Sequence, residues 1–118
     1  MSKKQVCAGD HADQELHAIV AEYLLDGDTA LQLASLFKAL SDPTRARIIG
    51  LLAHTEMCVG DLCRALGMSQ PAVSQQLRHL RQTNLVTMRR SGQHVIYTLT
   101  DEHIHTLFHQ GLSHIQED

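Results

Sequence analysis

The chain has 118 residues, of which 43% are hydrophobic and 19% are charged. This balance is typical of one compact globular domain, and it excludes a fibre or a chain that is disordered throughout. No apolar run approaches the roughly 20 residues that a membrane-spanning helix needs, and the polar first residues do not resemble a secretory signal. We therefore expect a cytoplasmic protein without a membrane partner.

The net charge of −3 conceals an uneven distribution of charged residues. All 13 acidic residues lie outside residues 62–100, whereas this segment contains several arginines: Arg64, Arg78, Arg81, Arg89 and Arg90. Because the local field governs attraction to a polyanion, the segment predicts contact with nucleic acid in spite of the overall charge.

The first part of the chain is predicted to be an arm followed by helices. Residues 1–13 are polar and indicate a flexible N-terminal arm, and residues 14–118 form the predicted domain. Apolar residues at helical spacing begin after Gln14, and Gly27 is predicted to end this first helix. Asp28 is a candidate cap for the second helix.

The middle of the chain predicts two further short helices joined by a tight turn. Asp42 is a candidate N-cap for the third helix, with Pro43 in its first turn. A fourth helix is predicted from about Cys58, and Gly67 provides the turn before Ser69, which caps a fifth helix. Two short helices around a glycine-containing turn indicate a helix-turn-helix.

The last part of the chain changes to strands and then returns to a helix. Segments 85–89 and 95–99 predict a β-hairpin around Ser91-Gly92, and helical spacing resumes after Asp101. The resulting order, α-α-α-α-α-β-β-α, predicts a mainly α fold with a β-hairpin wing, which is a winged helix-turn-helix.

The fifth helix and the hairpin tip carry the candidate DNA-binding side chains. Glutamine pairs with adenine through two hydrogen bonds, serine serves as donor or acceptor, and arginine binds phosphate. The predicted contacts are Ser69, Gln70, Ser74, Gln75, Arg78, Arg89, Arg90, Gln93 and His94.

Four segments resemble the ArsR/SmtB family of metal-responsive winged-helix repressors, and within it the SmtB-like zinc sensors. They are LFKALSDPTRARIIGLL, CVGDLCRALGMSQPAVSQQLRHLR, LVTMRRSGQHVIYTL and DEHIHTLFHQGLSHIQE, so the resemblance covers nearly the whole chain. It implies a homodimer through the first and last helices, an inverted-repeat operator, and repression that metal relieves.

The last helix carries a predicted metal site. His103, His114 and Glu117 lie on one helix face and Asp101 lies at its start, but 11 residues, about 16 Å, separate the two histidines. Two antiparallel copies could bring Asp101 and His103 of one chain to His114 and Glu117 of the other. Two nitrogens and two carboxylate oxygens suit tetrahedral Zn(II), and these positions match the C-terminal-helix site of the SmtB-like proteins.

Each ligand also has a structural interpretation. Asp101 would cap the helix, and His114 would complement the helix dipole. His105 and His109 have ligand spacing too, but they face away from the first set, so we interpret them as surface or dimer-edge residues.

A second predicted metal set combines Cys7 and His11 in the arm with Cys58 and Asp61. This sulfur, nitrogen and oxygen set suits Zn(II) or Cd(II) and resembles the thiolate-containing site of the family. Gly60 departs from members that have Cys-x-Cys there, which argues against very soft ions. Alternatively, Asp61 merely favours a helix N-terminus and Cys7 is a free thiol.

The sequence therefore predicts a repressor that releases DNA when Zn(II) or Cd(II) binds and thereby derepresses metal efflux or sequestration genes. The alternative is a thiol-redox-responsive repressor that uses Cys7 and Cys58, although the carboxylate of Asp61 disfavours a thiolate there. No nucleophile motif or phosphate loop indicates an enzyme, and we expect no small organic substrate.

Overall fold

A computed structural model describes residues 10–117, and the chain divides into two compact units between Leu33 and Ala34. The first unit contains helix α1 (Asp10–Tyr23) and the beginning of α2 (Gly27–Leu40). Helix α1 begins four residues before the predicted Gln14, and acidic residues near its start complement the positive end of the helix dipole. None of the helices within residues 10–117 is long and apolar enough to cross a bilayer.

The predicted boundary between the first two helices is wrong in detail. Gly27 does not end α1, which stops at Tyr23; it begins α2. The N–H of Ala30 donates to the carbonyl of Asp26 at 2.9 Å, so the backbone already turns before Asp28. Asp28 therefore lies in the first turn of α2 rather than at its cap, where its negative charge still favours the helix N-terminus.

The second unit begins with the end of α2 and continues into α3 (Pro43–His54). The predicted cap is confirmed: Asp42 has extended backbone and accepts a hydrogen bond from the N–H of Arg45 at 3.0 Å. Pro43 follows it in the first turn, where the missing N–H of proline costs no helical hydrogen bond.

The helix-turn-helix is formed by α4 (Val59–Leu66) and α5 (Gln70–Gln82). Gly67 ends α4 in the left-handed region with φ of 66°, a conformation that glycine adopts without steric cost. Ser69 caps α5 as predicted by accepting from the N–H of Ala72 at 3.4 Å. These two local devices fix where one helix stops and the next starts.

Three strands form an antiparallel sheet of order β1-β3-β2: β1 (Met57–Cys58), β2 (Val86–Ser91) and β3 (His94–Leu99). The prediction missed β1 because two residues carry no periodicity. The fourth helix begins at Val59 with Cys58 as its N-cap residue, in agreement with the predicted start at about Cys58, and Cys58 also pairs with Ile96 in the sheet. Ser91 pairs with His94, so the loop is Gly92-Gln93 rather than Ser91-Gly92.

Helix α6 (Glu102–Gln116) completes the winged helix and packs on α3. The Phe108 ring lies against Gly50, where an added Cβ would come within 3.0 Å of it. The core is aliphatic: Ala39, Ile48, Ile49, Leu52, Leu62, Leu66, Val73, Leu77, Leu80, Leu85, Val86, Leu99 and Ile104 are buried. Cys63 is half-buried and packs against this core.

Candidate nucleic-acid interface and metal centre

Helix α5 presents the predicted base-reading residues on its exposed side. Val73, Leu77 and Leu80 are fully buried, which directs the opposite face away from the core. On that face Gln75 and Arg78 are exposed, whereas Ser74 is half-buried. Ser69 and Gln70 are exposed at the helix N-terminus, where free backbone N–H groups also favour phosphate. Apart from the half-buried Ser74, the α5 part of the predicted set is therefore exposed.

Sequence reasoning missed Arg45, which holds α5 in place from α3. Its Nη1 donates to Oε1 of Gln76 at 3.2 Å, and its Nε donates to the carbonyl of Ala39 at 2.7 Å. A weaker contact of 3.3 Å joins Nη2 to the carbonyl of Lys38. One guanidinium thus joins the end of α2 to α5, which we call the recognition helix because it carries the predicted base contacts. No pattern in the sequence indicates this link, because the partners of Arg45 come together only in the folded chain.

The wing carries the remaining predicted DNA contacts. Arg90, Gln93 and His94 are exposed around the hairpin loop. Arg89 is also exposed, but its Nη2 forms an ion pair with Oε1 of Glu56 in the segment before β1. Both side chains are about half exposed, so the pair is open to exchange with a phosphate.

A polar groove of about 660 Å³ lies between the end of α5 and strand β2. It is lined by Arg78, Arg81, Gln82, Asn84, Val86, Thr87 and Met88. Arg81 was counted in the basic segment but was omitted from the predicted contacts. Its position three residues after Arg78 places the two guanidinium groups on neighbouring helix positions, and this spacing could have identified it.

The four predicted ligands of the C-terminal site lie at the two ends of α6. Asp101 is the N-cap residue and Glu117 is the C-cap residue, while His103 and His114 lie within the first and last turns. All four are exposed, and the His103 side chain is 93% exposed. In residues 13–117 no three His, Cys, Asp or Glu side chains converge as a metal site would require. A single chain therefore keeps the two halves of the predicted set apart.

Asp101 acts as a cap and still has a free oxygen. Its Oδ1 accepts from the N–H of His103 at 2.9 Å and of Ile104 at 3.3 Å, so the capping interpretation is correct. The same oxygen lies 3.4 Å from Nδ1 of His103. Desolvation of the carboxyl raises its pKa. The hydrogen bonds from the His103 side chain and from the two N–H groups lower the pKa, and together they outweigh the desolvation. The net pKa lies below its usual value, and the carboxylate is anionic at neutral pH.

The second predicted set is only partly described. Cys7 and the side chain of His11 lie outside the described residues. Cys58 is a half-buried free thiol directly before α4, and Asp61 lies in the first turn of that helix. The carboxylate of Asp61 forms an ion pair with Arg64 one turn later. A metal at this position would compete with that arginine for the carboxylate.

Comparison with known proteins decides the family. Residues 42–88 match the model of the bacterial regulatory protein, arsR family. The chain is 40% identical over 125 residues to the transcriptional repressor SmtB homolog of Synechocystis sp., spanning 99% of this chain and 95% of that protein. The chain belongs to the ArsR family.

Other relatives of this ArsR-family chain include regulators with solved structures. It is 41% identical to the HTH-type transcriptional regulator NmtR of Mycobacterium tuberculosis over 76% of this chain and 75% of the relative. The solution structure of apo-NmtR superimposes with a TM-score of 0.69 at 39% identity, covering 80% and 79% of the two chains. A homodimeric winged helix-turn-helix DNA-binding domain from Mycobacterium bovis gives a TM-score of 0.72 at 33% identity, covering 79% and 88%.

The ArsR-family match includes α3, β1, α4, α5 and the first half of β2, but α6 lies beyond it. The winged helix and the regulator class are therefore confirmed, and no enzyme is indicated. The ligands on α6 and in the arm remain predictions about this ArsR-family chain.

Two hydrogen bonds join the residue before the N-cap of α6 to the turn that follows α5. The hydroxyl of Thr100 donates to the carbonyl of Asn84 at 2.9 Å, and the N–H of Thr100 donates to the carbonyl of Leu85 at 3.0 Å. Asn84 has a positive φ of 62° at the turn between α5 and β2. Thr100 directly precedes Asp101. The predicted metal ligand Asp101 is therefore next to the residue that is hydrogen-bonded to the turn between α5 and β2. The sequence carried no indication of this contact.

Proposed function

We propose that this chain is a metal-sensing transcriptional repressor. Its homodimer binds an inverted-repeat operator and is released when Zn(II), or Cd(II), binds, which derepresses genes for metal efflux or sequestration. The observation that carries the proposal is the distribution of donors on α6: two exposed ligands at each end, too far apart to serve one ion within a chain. Action on operator DNA makes this a cytoplasmic protein.

The exposed apolar side chains support the dimer. In α1 and its C-terminal flank, Leu16, Tyr23 and Leu24 are exposed, the last by 73%. In the second unit, an apolar groove of about 510 Å³ lies between α2, α3 and α6, and Ile115 on its border is 77% exposed. Large apolar patches on one chain indicate a protein interface. A dimer through the first and last helices would cover both sets.

The residues present suit a zinc ion. Asp101 offers Oδ2, since the capping hydrogen bonds from His103 and Ile104 both use Oδ1. The exposed imidazoles of His103 and His114 would contribute nitrogen. Glu117 adds an exposed carboxylate at the other end of α6. When bound, the ion supplies a cross-link among two nitrogens and two oxygens, a set that zinc accepts. Asp101 and His103 of one chain with His114 and Glu117 of the other would hold it.

The residues of the chain itself then couple the site to DNA binding. Asp101 and Thr100 are adjacent, and Thr100 donates to the carbonyls of Asn84 and Leu85 in the turn between α5 and β2. A shift at the start of α6 is therefore transmitted through two hydrogen bonds to the recognition helix. Half-sites one DNA turn apart tolerate little error in the separation of recognition helices, so a small shift weakens operator binding. His114 has a further route in the dimer, where it would lie at the start of the other chain's α6 and its second ring nitrogen could donate to a backbone carbonyl near the turn that follows the other chain's α5.

The DNA-facing residues divide the work of binding. Gln75, Ser74 and the N-terminal Ser69 and Gln70 are positioned to reach base edges, while Arg78, Arg81 and the wing cations serve phosphates. On the wing, the proposed DNA contacts are Arg89, Arg90, Gln93 and His94. The arm set of Cys7, His11, Cys58 and Asp61 is proposed as a second, thiolate-containing site that need not regulate.

The experiment is an operator mobility shift in the presence of zinc, EDTA or diamide. We expect wild-type protein to release DNA with zinc, and His114→Gln to bind the operator normally and ignore zinc.

Cys7→Ser with Cys58→Ser should lower the metal stoichiometry by about one ion per chain and keep the zinc response. Release of DNA by the His114→Gln variant at the wild-type zinc concentration would refute the assignment to α6. Release by diamide alone would favour the thiol-redox alternative.

A further inference from the structure

Helix α6 carries a second pair of histidines that the proposed function does not use. His105 and His109 are one helical turn apart, with ring centroids separated by 6.2 Å and planes inclined by 27°. The Phe108 ring lies edge-on to His109 at a centroid distance of 5.4 Å and an angle of 72°. Such an aromatic contact restricts the His109 ring, so the two imidazoles are held near each other on one flank of the helix.

This pair is separate from the predicted zinc ligands on the same helix. His103 and His105 are two residues apart and therefore point about 160° away from each other around the axis. The apolar stripe containing Ile104 and Phe108 lies on one side between these flanks. An ion held by the pair would not share ligands with the set containing His103.

The nitrogens of the pair are uncommitted. Neither imidazole has a hydrogen bond or an ion pair with any other residue in the part of the chain that the structure describes. His105 is half-buried and His109 is exposed, so ring nitrogens reach solvent without being enclosed. Glu102, three residues before His105, adds negative charge on the same flank. An uncommitted imidazole pair beside a carboxylate favours a cation.

We propose that His105 and His109 form a second metal site on α6 that binds a late first-row divalent ion. Two imidazoles one turn apart can chelate a single ion, and water completes the coordination because no third His, Cys, Asp or Glu converges there in the described residues. Two nitrogen ligands with several open positions suit Cu(II) and Ni(II) better than Zn(II), whose structural sites need four protein ligands. The affinity order should therefore be Cu(II), then Ni(II), then Zn(II).

The test first removes ligands from both other proposed metal sets, so it does not depend on the proposed function. A tag-free chain carrying Cys7→Ser, Cys58→Ser, His103→Gln and His114→Gln is titrated with NiCl₂ by calorimetry. We expect about one Ni(II) per chain. Adding His109→Gln should weaken binding about tenfold or more, because the second ligand of a chelate binds at a high effective concentration. His54→Gln, which changes an exposed histidine at the end of α3, should leave binding unchanged.

A second measurement locates the ion directly. Substoichiometric Cu(II) is paramagnetic and should broaden the imidazole proton resonances of His105 and His109 before those of His54. Circular dichroism confirms that each variant retains its helices. The proposal is overturned if the quadruple variant binds no Ni(II), if His109→Gln and His54→Gln have equal effects, or if Zn(II) binds more tightly than Ni(II).

Discussion

The helix-turn-helix and helix α6 differ in how much of their function one chain completes. The buried faces of α4 and α5 fill the core, and Arg45 joins α5 to the end of α2. Helix α6 buries Ile104 but leaves its predicted metal ligands and Ile115 exposed. A single chain therefore contains the whole of its predicted DNA-facing set, whereas it holds the two halves of the predicted metal set apart. Under the proposed function, metal binding on α6 requires a second copy of the chain.

The largest expected effect is on the free energy of unfolding, which a substitution in α5 should lower and one at the end of α6 should not. Leu77→Ala removes a fully buried side chain from α5 and should cost about 2–5 kcal/mol of unfolding free energy. Ile115→Ala, at the exposed end of α6, should instead weaken the dimer and leave the fold of each chain intact. Urea denaturation and sedimentation at several protein concentrations distinguish the two effects. Unchanged dimerisation in Ile115→Ala would place the interface elsewhere.

The next effect tests whether α5 reads bases as its exposure indicates. Gln75→Ala should reduce discrimination between operator and random DNA by about 1–3 kcal/mol if Gln75 contacts a base through two hydrogen bonds. Gln76→Ala is the comparison variant: its amide oxygen accepts from Arg45, so its loss should weaken operator and random DNA alike and leave their ratio unchanged. Competition binding with both DNA types measures the difference. Equal losses on both DNAs for Gln75→Ala would remove this residue from the base-reading set.

A smaller effect tests the contact that joins the two regions. Thr100→Val removes the hydroxyl that donates to Asn84 but keeps the shape of the side chain, and one such hydrogen bond contributes about 0.5–1.5 kcal/mol. We expect the zinc-induced loss of operator affinity to shrink by a comparable amount. Thr106→Val, an exposed position on α6, should leave that loss unchanged. If the two variants respond to zinc alike, Thr100 does not transmit the signal.

The smallest effect concerns the wing. Arg90→Ala should weaken operator and random DNA alike and reduce the salt dependence, since one phosphate contact is lost. Glu56→Gln should do the opposite, because it releases Arg89 from its ion pair, with a gain below about 1 kcal/mol. Binding measured across a salt series checks both variants. A weaker complex for Glu56→Gln would mean that the ion pair orients Arg89 productively.

Local signals allowed most of the fold to be predicted. Asp42, Ser69 and Gly67 stand at helix ends and act through their nearest neighbours, and each behaves as expected. Strand β1 was missed because two residues have no period and are extended only because β3 pairs with them. The boundary at Gly27 was wrong because glycine favours either end of a helix.

The sequence supplied candidate residues for the site but none of their contacts. The donor spacing on α6 and the basic segment predict metal and DNA binding, and these residue roles stay predictions. Arg45, Glu56 and Thr100 were missed because their partners lie 31, 33 and 16 residues away in sequence, measured to Gln76, Arg89 and Asn84. Contacts over such distances leave no periodic pattern in one sequence.

Cys58 of the proposed arm set pairs with Ile96 of β3, so a metal bound there would act on a different part of the fold from a metal bound on α6. Strand β3 lies between β1 and β2, so a pull on Cys58 reaches the hairpin directly. The start of α6, by contrast, adjoins the turn after the recognition helix. Two inputs on this scaffold would therefore tune different DNA grooves, one through the wing and one through the major-groove helix. A metal site at Cys58 could then be gained or lost without any change in the base contacts of α5.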